Sequence, residues 1–149
     1  MPIHSRQAEV AGGHFGWADM DAKPRHAVNA LTRAAIPPSP GAYALYRAEE
    51  RLYVGKATSL RSRVAGQHFA KGASMTNSAL RRNVCQHIGI ARAADIKARR
   101  YRTTVDDALR VTQWLASCAF AWVECATADE AFQIEQALRR EFKPPLNRL

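Results

Sequence analysis

The pattern of apolar positions sorts most of the chain into short elements. Two strand-like runs, AYALYR and RLYVG, flank Ala48-Glu49-Glu50 and predict a hairpin. Leu60 and Val64 stand one helical turn apart, which predicts a helix from about Ser59 to His68. Leu80, Val84, His87 and Ile88 recur at helical spacing and predict a second. Thr104 and Asp107 resemble an N-cap and its acid ahead of ALRVTQWLA, a third. AFAWVECA, rich in aromatic and apolar residues, predicts a strand. Thr127 and Glu130 have capping-box spacing before the last long helix, which Pro144 closes. The basic run IKARRYR has no clear period.

The first 40 residues read differently. Residues 1–22, including GGHFGW, show no period and read as an arm. Within 23–35, Val28, Leu31 and Ala35 fall at i, i+3 and i+7, which predicts a short helix with Pro24 in its first turn. IPPSP then breaks it. The expected organisation is therefore an arm, a short helix and a Pro-rich linker over 1–40, then one domain over 41–149. The expected class is α/β of the α+β kind, a small three-stranded antiparallel sheet flanked by helices.

Composition narrows the setting. Hydrophobic residues make up 47% and charged residues 23%, the balance of a globular chain. No apolar run is long enough for a membrane span, and MPIHSRQAEV has no apolar signal region. Cys85, Cys118 and Cys125 have no CxxC spacing, so a reducing, cytoplasmic setting is expected. The net charge is +9, and it is lopsided: residues 51–102 hold 12 Lys or Arg against one acid, Asp95. Such polarity points to a phosphate-backbone partner and away from a membrane surface.

A hairpin with a three-residue loop at 48–50 sets Tyr43 opposite Gly55, Leu45 opposite Tyr53 and Tyr46 opposite Leu52. Tyr43 and Tyr53 then share one face as diagonal neighbours, and Ala42, Ala44, Tyr46, Leu52 and Val54 cover the other. Gly55 leaves space opposite Tyr43 where a ligand's backbone could approach.

The segments around this pair extend the pattern. Gly41-Ala42-Tyr43, Tyr53-Val54-Gly55, Arg63 ten residues after Tyr53, Glu135, and Asn147 twelve residues later together resemble the GIY-YIG nuclease family. YVGKATSLRSRV, with Lys56, looks closest to the nuclease domain of the bacterial excision-repair endonuclease. Alanine replaces the usual β-branched residue at 42. Gln67 occupies the place four residues after the arginine where many members carry histidine or tyrosine, and His68 follows it. The stretch from Phe69 to Phe120 is longer than in compact members, implying an inserted basic helical segment at about 70–117.

The resemblance implies hydrolysis of DNA phosphodiesters with a divalent cation, Mg²⁺ or Mn²⁺, bound at Glu135. On a helical wheel Glu135 lies about 100° from Ile134, at the rim of the apolar stripe and within reach of solvent; pairing with Arg139 at i+4 is the plain alternative. Arg63 suits the scissile phosphate. Either Tyr53 or Tyr43 would activate or orient water, with Lys56 or Arg63 favouring the phenolate. Lys56 alternatively binds phosphate, and His68 either moves protons or closes its helix. Asn147 would fix the last loop against the site. Arg61, Lys71, Arg81, Arg82, Lys97, Arg99, Arg100 and Arg102 are the expected backbone contacts. Trp17, Trp114 and Trp122 could stack bases, Trp122 being the best core candidate of the three.

Three functions remain open: a nuclease, an inactive nucleic-acid-binding module of the same fold, and a small-ligand binder. Strandedness of the DNA is undefined. Further recognition falls to the insertion, the arm, a protein partner or a second subunit.

Overall fold

A computed structural model of the chain describes residues 14–68 and 74–149. The strands are β1 (His26–Ala27), β2 (Gly41–Arg47), β3 (Glu50–Ala57) and β4 (Ala119–Glu124). The helices are α1 (Trp17–Asp21), α2 (Leu60–His68), α3 (Ala79–His87), α4 (Ala93–Lys97), α5 (Val105–Leu115) and α6 (Ala128–Glu141). A 3₁₀ turn, Pro145–Arg148, follows the last helix. The strands form one antiparallel sheet in the order β1-β4-β2-β3, which leaves β3 on an edge.

Alternation of side chains divides the core between the two faces. Tyr43, Leu45, Tyr53 and Phe120 pack with Leu60, Val64, Leu80, Val84, Val111 and Leu115 from α2, α3 and α5. Ala42, Ala44, Val54, Ala121 and Val123 pack with Trp17 and Met20 of α1 and with Ala131, Ile134 and Leu138 of α6. The alanines keep the second face flat, so α6 lies close to the strands. Ala42 is on that face, opposite Tyr43, so its methyl packs a helix and is remote from the phenols. The basic insertion supplies α3, α4 and α5, and these form the helical layer over the tyrosine face.

Several expectations are corrected. The sheet has a fourth strand, β1, within the stretch read as a helix. Spacing of i, i+3 suits a 3₁₀ turn as well as an α-helix. Here Val28–Ala30 and Arg33–Ala35 are 3₁₀ turns, and Val28 donates its N–H to Cys118 O at 2.9 Å. Aperiodic IKARRYR overlaps α4, a single short turn whose buried residues are Ala93 and Ile96. At α6 only half of the capping box forms: Thr127 Oγ1 accepts from Glu130 N at 3.1 Å, while Glu130 Oε1 accepts from Ala126 N. Phe142 leaves the helix as an extended cap and is exposed.

The hairpin register is as expected from Gly41↔Ala57 to Leu45↔Tyr53, but a bulge follows. Tyr46 then pairs with Arg51, and Leu52 is the extra residue. The side chains after the bulge are re-aimed. Leu52 joins the tyrosine face, contrary to expectation, and Arg51 turns to the other face beside α1. There its guanidinium pairs with Asp21 and lies 5.0 Å from the Trp17 ring centroid. Tyr46 Oη donates to the same carboxylate at 2.7 Å.

That cluster anchors a segment read as an arm. Trp17 is 0% exposed, and its Nε1 donates to Leu138 O at 2.9 Å and Phe142 O at 3.0 Å. It satisfies carbonyls at the end of α6 that have no helical donor of their own or only one. Trp17 is therefore core, with no face left to stack a base. The arm's first 13 residues lie outside the described residues.

Candidate active site

The start of α2 is held by the proline-rich segment. Leu60 N donates to Ser39 O at 2.8 Å, Arg61 N to Pro37 O at 2.9 Å, and Arg61 Nε to Ile36 O at 2.8 Å. The two backbone bonds satisfy helix N–H groups that have no partner inside the helix, and the guanidinium bond adds a side-chain tie. Gly41 allows the helix to sit down on the sheet. A Cβ there would come within 2.6 Å of Leu60 Cδ1 and 2.4 Å of Val123 O. One turn along, α2 carries Arg63.

The ring of Tyr43 lies over Gly55. A Cβ on Gly55 would be 2.5 Å from Tyr43 Oη and 2.6 Å from its Cζ. The space left by the glycine is thus filled by the protein's own phenol and is not open to a ligand's backbone. Gly55→Ala should cost about 1–3 kcal/mol, because the buried ring has little room to give way. Denaturant unfolding checks this, and a variant as stable as the parent would show that the ring moves freely.

Tyr53 stands beside this pair with ring centroids 6.2 Å apart. Burial is the largest effect on its phenol, which is 8% exposed, and it pushes the group well above its ordinary value. The charges of Tyr43 and Glu135 push the same way, while those of Arg63 and Arg139 pull it back. The expected phenolate is therefore disfavoured, and Tyr53 keeps its proton at neutral pH. Tyr43 and Tyr53 share the sheet face covered by α2, the helix of Arg63, while Glu135 and Arg139 come from α6 on the other face. β3 is an edge strand, and both helices pack against it.

Glu135 is 6% exposed, deeper than its rim position on the helical wheel implies. Oε2 accepts from Arg139 Nη1 at 3.3 Å, and Oε1 accepts from Gln136 Nε2 at 2.9 Å. Among the described residues no group of three or more His, Cys, Asp or Glu could hold a metal. One carboxylate still fits a hydrated Mg²⁺, which usually retains several waters and takes other oxygens from substrate phosphates.

Asn147 grips the outer edge of β3 with both ends of its amide. Oδ1 accepts from Val54 N at 2.8 Å and Nδ2 donates to Val54 O at 2.9 Å. In an antiparallel ladder every second residue turns both backbone groups outward. Val54 is such a residue, and Asn147 replaces the missing neighbouring strand between Tyr53 and Gly55. Asn83 holds the turn from behind, donating to Leu146 O at 2.8 Å. No sequence signal marks Asn83, whereas Arg139 was legible as the i+4 partner of Glu135.

Other candidates lie elsewhere. Lys56 pairs with Ala42 and so points to the α6 face, where its Nζ is 5.8 Å from the Phe132 ring centroid. His68 ends α2, and its side chain lies outside the described residues, as does Lys71. Arg63 is exposed and lines a cavity of about 450 Å³ with Ser59, Ser62, Gly66, Asn77 and Ser78. Neither tyrosine nor Glu135 lines it, so the opening is on the arginine's flank.

The expected backbone contacts divide similarly. Arg81 is 2% exposed, and its Nη2 donates to Ala108 O at 3.1 Å and Thr112 Oγ1 at 3.0 Å. It joins α3 to α5, and although nearly buried it also lines the cavity beside Arg63. Arg61 is tied to Ile36 O, and Arg82 to Thr76 O. Arg100 pairs with Asp95 at 3.0 Å but remains exposed. Lys97, Arg99 and Arg102 are exposed, the last two lining a cavity with Tyr101 and Ile96. Trp122 is partly buried and stacks on His26 at 4.1 Å. Trp114 packs edge-on against His87.

This arrangement defines a class: a small α+β domain with a two-tyrosine edge hairpin, a helical arginine, and a carboxylate on the long C-terminal helix. A family model described as GIY-YIG catalytic domain matches residues 31–148. The chain belongs to the GIY-YIG family, and it has the fold of nucleases that act on DNA. No curated protein matches it.

Proposed function

We propose that the protein is a divalent-metal-dependent endonuclease that hydrolyses DNA phosphodiester bonds. The observation that carries this reading is the paired tyrosines of the edge hairpin, their ring centroids 6.2 Å apart, on a strand that Asn147 clamps and that both the Arg63 helix and the Glu135 helix pack against. Arg63, exposed beside a cavity, pairs with the scissile phosphate through its planar fork. The protonated phenol of Tyr53 donates a hydrogen bond that orients the attacking water or a phosphate oxygen. Glu135 would hold Mg²⁺ or Mn²⁺, which when bound lowers the pKa of a water and balances phosphate charge. Asn147 keeps the strand carrying Tyr53 and Gly55 in place. Burial raises the thiols of Cys85, Cys118 and Cys125 to about 11, which keeps them protonated and suits a reducing cytoplasm.

A second reading is an inactive DNA-binding module, favoured by one observation: both oxygens of Glu135 are already engaged by neighbouring side chains. Incubation of pure protein with labelled single-stranded, duplex and flap DNA separates the two. Cleavage that needs Mg²⁺ or Mn²⁺ and stops with chelator is the expected result. Binding to these substrates with no cleavage of any would make the protein a module.

A further inference from the structure

We propose that a third cavity, beside the C-terminal turn, anchors a backbone phosphate of the same DNA on the flank of the cut; this rests on the DNA-directed reading above. The cavity is about 470 Å³ and collects Arg82 from α3, Arg92 and Lys97 from the two ends of α4, and Arg148 from the C-terminal turn. Arg92 belongs to the basic stretch 51–102 but was not singled out as a backbone contact, and Arg148 lies outside that stretch. Among the described residues no Asp or Glu side chain lines the cavity, which leaves the carboxylate of the last residue, Leu149, as the anionic group at its wall, one against four cations; the three ion pairs among the described residues involve none of the four. Like charges gathered around one concavity repel, and an anion between them relieves the repulsion. Arginine forks suit a phosphate in particular; Arg82 gives one N–H to Thr76 O and Arg148 its Nε–H to Lys143 O, and each fork has further N–H groups.

The position favours DNA backbone over a free anion. Arg148 follows Asn147, the residue that clamps Val54 in the tyrosine strand. Asn83 lines the same cavity and bonds Leu146 O in that turn. One short turn therefore faces the catalytic strand on one side and the cationic cavity on the other. A nucleic acid engaged at Arg63 has further phosphates to offer nearby.

The test uses the full chain, a labelled duplex and fluorescence anisotropy over a range of salt. The double variant Arg92→Gln/Lys97→Gln should lower the slope of log affinity against log salt by about two and weaken binding roughly tenfold at moderate salt. Arg92→Lys/Lys97→Arg should keep the parental slope, which separates charge from a structural role. An unchanged slope in the Gln variant overturns the proposal. So does binding of inorganic tripolyphosphate by the parent, lost in the Gln variant while the DNA slope stays the same, because the ligand is then a free anion. A parent that binds no DNA ends both this proposal and the nuclease reading. A parent that shows the slope change yet never cleaves DNA ends the nuclease reading alone.

Discussion

Glu135→Gln should reduce cleavage about a thousandfold or more while leaving the protein folded. The glutamine keeps the shape of the side chain and one acceptor oxygen but removes the charge that would hold the cation. Loss of a single stabilising group at a phosphate or oxyanion site costs about 10²–10³ in rate, and loss of the ion removes more than one such contribution. Stability should change little. The variant leaves no charge buried, because the partner Arg139 is a third exposed and can turn to water. Single-turnover cleavage with Mg²⁺ and with Mn²⁺, beside a thermal melt, measures both quantities. Cleavage within about threefold of the parent would take Glu135 out of the chemistry and leave its contact with Arg139 as its whole role.

Trp17→Ala should lower the unfolding free energy by about 3–5 kcal/mol, the range for removing a large aromatic side chain from a core. The indole is fully buried between the sheet and α6, and it meets Tyr46 and Phe142 edge-on at 6.4 and 6.3 Å. Its N–H also serves Leu138 O and Phe142 O, and Phe142 O would lose that donor. A drop in melting temperature on the order of 10 °C is expected for a domain of this size. Trp17→Phe should recover part of the packing but not the hydrogen bonds, and so melt between the two. If Trp17→Ala melts with the parent, α1 contributes nothing to the second core and its docking is incidental.

These two residues show where one-dimensional reading works. Tyr43, Tyr53, Arg63, Glu135 and Asn147 were legible because their identities and spacings recur as a set, and because alternation alone puts both tyrosines on one face. The register from Gly41 to Tyr53 followed from a two-residue period. It failed at Leu52, since a bulge is an added residue that periodicity cannot show. The outcome matters for Arg51, which the bulge delivers to Asp21. Trp17 was illegible for a related reason: its partners are more than 120 positions away in the chain.

The candidate site divides along the same line. Residue types, the α+β class, the caps at Thr104 and Thr127 and the basic middle of the chain all follow from local spacing and composition. The depth of Glu135, the protonation of Tyr53, the burial of Arg81 and the meeting of Arg82, Arg92, Lys97 and Arg148 follow only from how separate segments pack. Local propensity is carried by neighbours in the chain. Burial and electrostatic environment are set by neighbours in space, and those exist once the edge strand, its helices and the C-terminal turn have closed on one another.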